Sequence, residues 1–364
     1  MKNQERYEGL LRLLSEGDLD GIFLAPSSDL KYITGSSLRP DGRSKGVLVT
    51  REGRSLLLCP ALYNEDAEEL RSTLPTVVWQ VEEGPKAGFE RLLALSGMEP
   101  HPAIAFTKGL EAANMLELVD GLGVRCVSGA SLISSLRAVK SEEELALVRR
   151  ASFMCDQMMI ALSRYIRPGL YEREIRDFIM NFHDFHGGKP RVPMVAAGVN
   201  SDKPHYFGGN DRRVEKNDIV MVDSGGWYDD YSHDMTRTFF VGSATNEQRK
   251  VYDIVLRAQL AAEQLVEIGA IPSAIDAAAR DLIGNAGYGE FFPHRLGHGI
   301  GLDGQEPFYI SAANHEPLVA GNCFSIEPGI YLPDNFGVRI EDIVMVTGSG
   351  REIVNTFPKE LTIL

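Results

Sequence analysis

At 364 residues, 44 % of them hydrophobic, the chain is long enough for two domains and ordinary in composition for a globular protein. A formal charge of −14 opposes binding to nucleic acid or to an anionic membrane, and part of that acidity is expected to sit in a cation site. No apolar run approaches a membrane span, the N-terminus MKNQERYEGL carries no signal-peptide core, and Cys59, Cys126, Cys155 and Cys323 form no CxxC pair. A cytoplasmic chain with free thiols is predicted, without a disulfide framework or a zinc knuckle.

Residues up to about 128 alternate helix-like and strand-like segments. Leu10, Leu11, Leu13 and Leu14 predict an amphipathic first helix, and Gly21 to Ala25 a buried strand. A helix opening at Ser28 or Asp29 follows, then the strand-turn-strand KGVLVTREGRSLLLC and further elements down to Val124–Val127, together a compact α/β domain. Asp29, Tyr32, Arg39 and His101 stand alone there, as caps, core or surface residues. The domain boundary is expected between Ser131 and Lys140, separating an N-terminal α/β domain, 1–130, from a second domain, 131–364. Ser141 and Glu144 fit a capping box opening a helix with Leu145, Val148, Ala151 and Met158 on one face, which Pro168-Gly169 ends. A second helix runs from about Tyr171 to His186, and two more are predicted at Asn246 to Gly269 and Ser273 to Ala286. Strand-rich pieces between and after these pairs predict an α+β domain with helices backing a mainly antiparallel sheet, and the repeated order hints at an internal duplication.

The chemistry begins in DIVMVDSGGWYDDYSHDMTRTFFV, Asp218 to Val241. Ile219 to Val222 is a β-favouring run that ends in Asp223, and Ser224-Gly225-Gly226 is a turn signal. The returning segment alternates, with Asp234, Thr236 and Thr238 on one face. Paired, the two segments bring Asp223 near Asp234, and two carboxylates at an apolar strand need a cation between them or a retained proton. The other reading of this stretch has Asp223 starting a turn and Asp234 facing water.

In FPHRLGHGIGLDGQEP, His294 and His298 are spaced as in HExxH, but Gly297, Gly299 and Gly301 oppose a helix and no Glu follows His294. Gly299 to Gly304 matches GxGxxG by letter without the strand before and helix after that a dinucleotide loop needs, so no organic cofactor site is predicted. What remains is a glycine-lined strand or loop presenting imidazoles. Glu327 in CFSIEPGIY and Glu341 in GVRIEDIVMV lie in apolar β-like runs, where glutamate needs a partner. Arg339 is expected on the same strand face as Glu341 and able to satisfy one of its oxygens.

Asp223, Asp234 within DxTRT, His298 in GHGIG, Glu327 in IEPGIY and Glu341 in VRIED resemble, in order and local context, the five metal ligands of the pita-bread metallopeptidases. His205 in GVNSDKPHY, the GLYERE stretch and the N-terminal α/β domain are similar to the aminopeptidase P and prolidase branch. The resemblance implies a creatinase-type N-terminal domain, a pita-bread catalytic domain, a peptide substrate containing proline, and a homodimer. It also implies two divalent metal ions, Mn2+ or Co2+ first and Fe2+ or Zn2+ next, sharing a water that attacks an Xaa-Pro bond. By that resemblance Asp223 chelates one metal, Asp234 and Glu341 bridge both, and His298 with Glu327 complete the second. Glu327 moves the proton, His205 contacts the scissile amide or oxyanion, His294 lies towards the leaving group, and Arg339 fixes the bridging carboxylates.

Two positions depart from the pattern. Gln305 stands where the family usually has a histidine near the substrate, and Tyr309 where prolidases often place an arginine for the dipeptide carboxylate. Both are substrate-binding candidates, and both raise an alternative: a hydrolase or lyase of a non-peptide small molecule on the same fold, as in creatinase-like relatives.

Overall fold

The computed structural model describes residues 4–63, 65–206, 208–209 and 211–364. The chain forms two compact units, divided between Arg137 and Ala138. The helix Ala130–Ala138 lies in the first up to Arg137: Ile133 is buried, and Arg137 makes a buried ion pair with Asp29 at 2.6 Å.

In the first unit, six strands pair in the order Thr76–Trp79, Ser55–Pro60, Gly46–Thr50, Gly21–Leu24, Ala103–Phe106, Arg125–Ser128. Gly21–Leu24 is buried throughout, flanked by an antiparallel and a parallel neighbour, which explains its unbroken apolar reading. Phe23 meets Phe89 edge to face at 5.7 Å in the core, a favoured aromatic geometry.

The second unit opens with the helix Glu142–Tyr165, whose capping box joins Ser141 and Glu144 as the sequence predicts. With the helix Glu172–Phe185 it backs the hairpin Ile219–Tyr228 and Tyr231–Phe240. Side chains alternate across a strand. Val220, Val222, Met235 and Phe239 pack in the core that includes Met158, Leu162 and Ile175 from the helices, so Asp223, Asp234, Thr236 and Thr238 turn to the opposite face. A second helix pair, Asn246–Gln264 and Pro272–Asn285, shares a core with Phe324, Ile326, Val338 and Val344 of the later strands.

The hairpin reverses later than the sequence suggests. Ser224, Gly225 and Gly226 do not form a turn; the strand continues to Tyr228, which pairs with Tyr231. The reversal falls on Asp229 and Asp230, with φ of 48° and 70°, the two left-handed positions that a tight two-residue hairpin loop demands. The glycines serve packing instead. A Cβ on Gly225 would come 2.6 Å from the Arg191 guanidinium carbon, and one on Gly226 would come 2.9 Å from His183 Nε2.

A second departure concerns Arg339 and Glu341. Arg339 ends the strand Phe336–Arg339, which pairs with Gly329–Leu332, whereas Glu341 bridges to Thr236 and leads into Asp342–Thr347, paired with Cys323–Ile326. The chain changes sheets between them, so they do not share one strand face.

Candidate metal centre

The hairpin register sets Asp234 opposite Gly225 and Asp223 opposite Thr236, making the two aspartates diagonal neighbours on one face. Glu341 joins them through the bridge to Thr236: its N–H donates to the Thr236 carbonyl at 3.1 Å, and its Oε2 accepts from Thr236 Oγ1 at 2.7 Å. His298 comes from the short strand Gly297–Gly299. A side chain at Gly297 would overlap the Ser325 carbonyl, so glycine there lets the strand approach Cys323–Ile326. The imidazole Nδ1–H donates to the Gly299 carbonyl at 3.0 Å, leaving the Nε2 lone pair 3.3 Å from Glu327 Oε1 and 4.0 Å from Asp234 Oδ2. Ser325 Oγ accepts from the His298 N–H and donates to Glu327 Oε1, tying the two together.

Asp234, His298 and Glu341, all buried, offer ligand atoms within 4.8 Å of one another. Asp223 and Glu327 line the same cavity, of about 360 Å³, with His205, His294, Gln305 and Arg339. The sequence reading therefore names residues that the fold does bring together. Tyr309 pairs with His298 across the strands and borders the site through Arg295, whose guanidinium lies 4.1 Å from its ring centre and which lines the cavity. Arg295 thus places a guanidinium beside position 309 on the cavity wall.

Arg339 serves Asp223 and not Glu341. Its Nη2 donates to Asp223 Oδ2 at 2.8 Å, its Nε to Thr236 Oγ1 at 3.1 Å, and its Nη1 to the Pro204 carbonyl and the Tyr331 hydroxyl. Its hydrogen-bonded link to Glu341 runs through Thr236, and its charge also acts on Glu341 directly. His294 is likewise engaged within the protein, its Nδ1–H with the Arg295 carbonyl at 2.8 Å and its Nε2 with the Tyr331 hydroxyl at 2.9 Å. Desolvation pushes its pKa down to about 3, so the imidazole is neutral at ordinary pH.

The electrostatics are those of crowded acids. Burial, then carboxylate neighbours, raise Asp234 to about 6 and Glu327 to about 7, and push Glu341 well above the ordinary range. Asp223 goes the other way: burial alone would raise it, but Arg339 and Arg191 hold it below the usual value. Desolvation also lowers His298 and His205. Neutral imidazole with buried, oxygen-rich carboxylates is the donor set that divalent ions such as Mn2+, Fe2+, Co2+ and Zn2+ take, and the added positive charge offsets the repulsion that otherwise keeps protons on.

Residues 146–348 match Metallopeptidase family M24, and residues 6–139 match the Creatinase/Prolidase N-terminal domain. The chain belongs to the M24 metallopeptidases. A probable dipeptidase PepE of Mycobacterium tuberculosis is 35 % identical over 357 residues, which cover 96 % of this chain and 93 % of that one. The crystal structure of a dipeptidase from Pyrococcus horikoshii superposes with a TM-score of 0.92 at 32 % identity, covering 99 % of this chain and 100 % of that chain. A prolidase from Thermococcus sibiricus gives 0.91 at 30 % identity, covering 99 % and 98 %. This M24 chain is therefore a metal-dependent peptidase, with a creatinase-type N-terminal domain and a pita-bread catalytic domain. Among its described residues no helix is long and apolar enough to cross a membrane.

Sequence reasoning missed Arg191, Arg295 and Tyr331. Arg191 lies between prolines in KPRVP with no acid nearby in sequence, and its partners are 32 and 43 residues away. Arg295 carried a usable signal, because it adjoins His294.

Proposed function

We propose that this chain is a two-metal hydrolase that cleaves Xaa-Pro peptide bonds, with Asp223, Asp234, His298, Glu327 and Glu341 as the metal ligands. The observation that carries the reading is the buried convergence of Asp234, His298 and Glu341, with Asp223 and Glu327 on the same cavity wall. The prolidase likeness supports the choice of bond. Bound there, divalent ions supply the Lewis acidity that polarises the scissile carbonyl and makes water nucleophilic near neutral pH.

The chain's own residues do the rest. Glu327, raised to about 7 and hydrogen-bonded to Ser325, takes a proton from the attacking water and returns it to the leaving nitrogen. His205, kept neutral by desolvation on the cavity wall, donates a ring N–H to the carbonyl oxygen as it gains charge. Arg339 and Thr236 hold Asp223 and Glu341 in place, and His294 with Tyr331 shapes the leaving-group side. Arg295, held over Tyr309, faces the substrate carboxylate.

The test is hydrolysis of a panel of Xaa-Pro dipeptides and longer peptides by purified protein with Mn2+ or Co2+. Turnover that disappears in Glu327→Gln supports the reading, and no turnover of any member with either metal rejects it. Gln305 on the cavity wall favours one second reading, a creatinase-like hydrolase or lyase of a non-peptide small molecule. Turnover in a metabolite mixture alongside an inert peptide panel would select it.

A further inference from the structure

Arg191 follows the short strand Lys189–Pro190, and its backbone N–H donates to the Gly225 carbonyl at 3.0 Å, pinning it beside the hairpin. The side chain lies across Gly225 and Gly304, where a Cβ would come 2.6 Å from its guanidinium carbon and 3.3 Å from Nη1 respectively. From there Nη2 donates to Asp234 Oδ1 at 2.8 Å and to Asp223 Oδ1 at 3.2 Å. Since Arg339 has Asp223 Oδ2, guanidinium groups hold both oxygens of that carboxylate.

The two arginines differ in what else secures them. Arg339 is also anchored on Thr236, Pro204 and Tyr331, whereas the guanidinium hydrogen bonds of Arg191, among the described residues, go to the two aspartates. A divalent cation ligated by Asp223 and Asp234 needs oxygens that Arg191 holds, and two positive charges a few ångströms apart in a buried site repel strongly. Of the two arginines, Arg191 is the one free to yield.

It also has somewhere to go. A cavity of about 480 Å³, walled by Val192, Met194, Trp227 and Gly304, adjoins the metal cavity through Arg191, His205, Asp223 and Gln305, which line both. The Gln305 amide oxygen can accept a guanidinium N–H there, where a protonated histidine would repel it. We infer that metal loading is an exchange: the cation displaces the Arg191 guanidinium from Asp223 and Asp234 into the compartment beside Gln305. The inference rests on the assignment of Asp223 and Asp234 as metal ligands. It gives the uncharged residue at 305 a physical role, as the neutral neighbour that a displaced arginine requires.

Calorimetric titration of the metal-stripped full chain with Mn2+, wild type against Arg191→Met, reads the exchange. The variant is expected to bind Mn2+ about tenfold more tightly, because no charge-assisted hydrogen bonds are given up on loading. Stripped of metal, it is expected to melt below the wild type, having lost the counter-charge of its aspartates. Arg191→Lys, which keeps the charge, should bind closer to wild type. Equal or weaker Mn2+ binding by Arg191→Met overturns the exchange and leaves the metal site standing, whereas a wild type that binds no Mn2+ overturns both. If Arg191→Met does not fold, the wild type answers alone through phenylglyoxal labelling of Arg191, mapped by peptide mass spectrometry. Faster labelling on Mn2+ addition supports displacement, and unchanged or slower labelling overturns it.

Discussion

Thr236 shows how much of the site depends on an uncharged residue. Its hydroxyl donates to Glu341 Oε2 and accepts from Arg339 Nε, and its backbone pairs with both Asp223 and Glu341. Thr236→Val should therefore weaken Mn2+ binding by about 10- to 100-fold without unfolding the chain, read by calorimetry and circular dichroism. Glu327→Gln should cut peptide turnover by about a hundred- to ten-thousandfold and, as it removes a ligand charge, should also weaken Mn2+ binding in calorimetry. The pKa shifts give a pH prediction whose sign differs between groups. Asp234, Glu327 and Glu341 have raised folded-state pKa values, so their stabilising contribution is full below the unfolded carboxylate range near about 4 and is lost as pH rises, through about 6 for Asp234 and about 7 for Glu327, with Glu341 following in the same direction. Asp223 is lowered, so its contribution is present above that range and lost on acidification. A cation takes the deprotonated forms, so the rise in melting temperature caused by Mn2+ should grow between about pH 5 and 8. A constant or shrinking increment would contradict the assignment. At this scale the acids and imidazoles were legible because such residues in apolar runs demand partners. The arginines were not, because a cation's partner is set by the fold and not by its sequence neighbours.

Among the elements, the hairpin and the glycine-flanked strand place the ligands. The hairpin was legible from the apolar β-favouring run Ile219 to Val222 and from alternation in the returning strand, Met235 and Phe239 against Asp234 and Thr236. Its turn was misplaced because Gly225 and Gly226, a turn signal by composition, are used to admit Arg191 and His183 against a continuous strand. The change of sheet between Arg339 and Glu341 was equally hidden, since both strands read as one apolar run. Gly297 is the sharpest test of placement by an element. Gly297→Ala should destabilise the fold by about 1–3 kcal/mol in urea denaturation, because the added methyl must push Gly297–Gly299 away from Ser325. It should also weaken Mn2+ binding, since His298 moves with the strand.

Over the whole molecule, the sequence indicated two units and paired helices each backing strands, and both helix pairs are present with separate cores. Those features rest on periodicity and capping, which are local. The meeting of residues as far apart as Asp223 and Glu341 is long-range, and only their likeness to a family pattern made it readable in advance. The central claim is that five side chains from separate strands form one divalent-metal site. Anomalous diffraction from Mn2+-loaded crystals, collected at the manganese edge, tests it most directly. Peaks are expected among Asp223, Asp234, His298, Glu327 and Glu341; peaks elsewhere, or none at this cluster, would contradict a shared metal site.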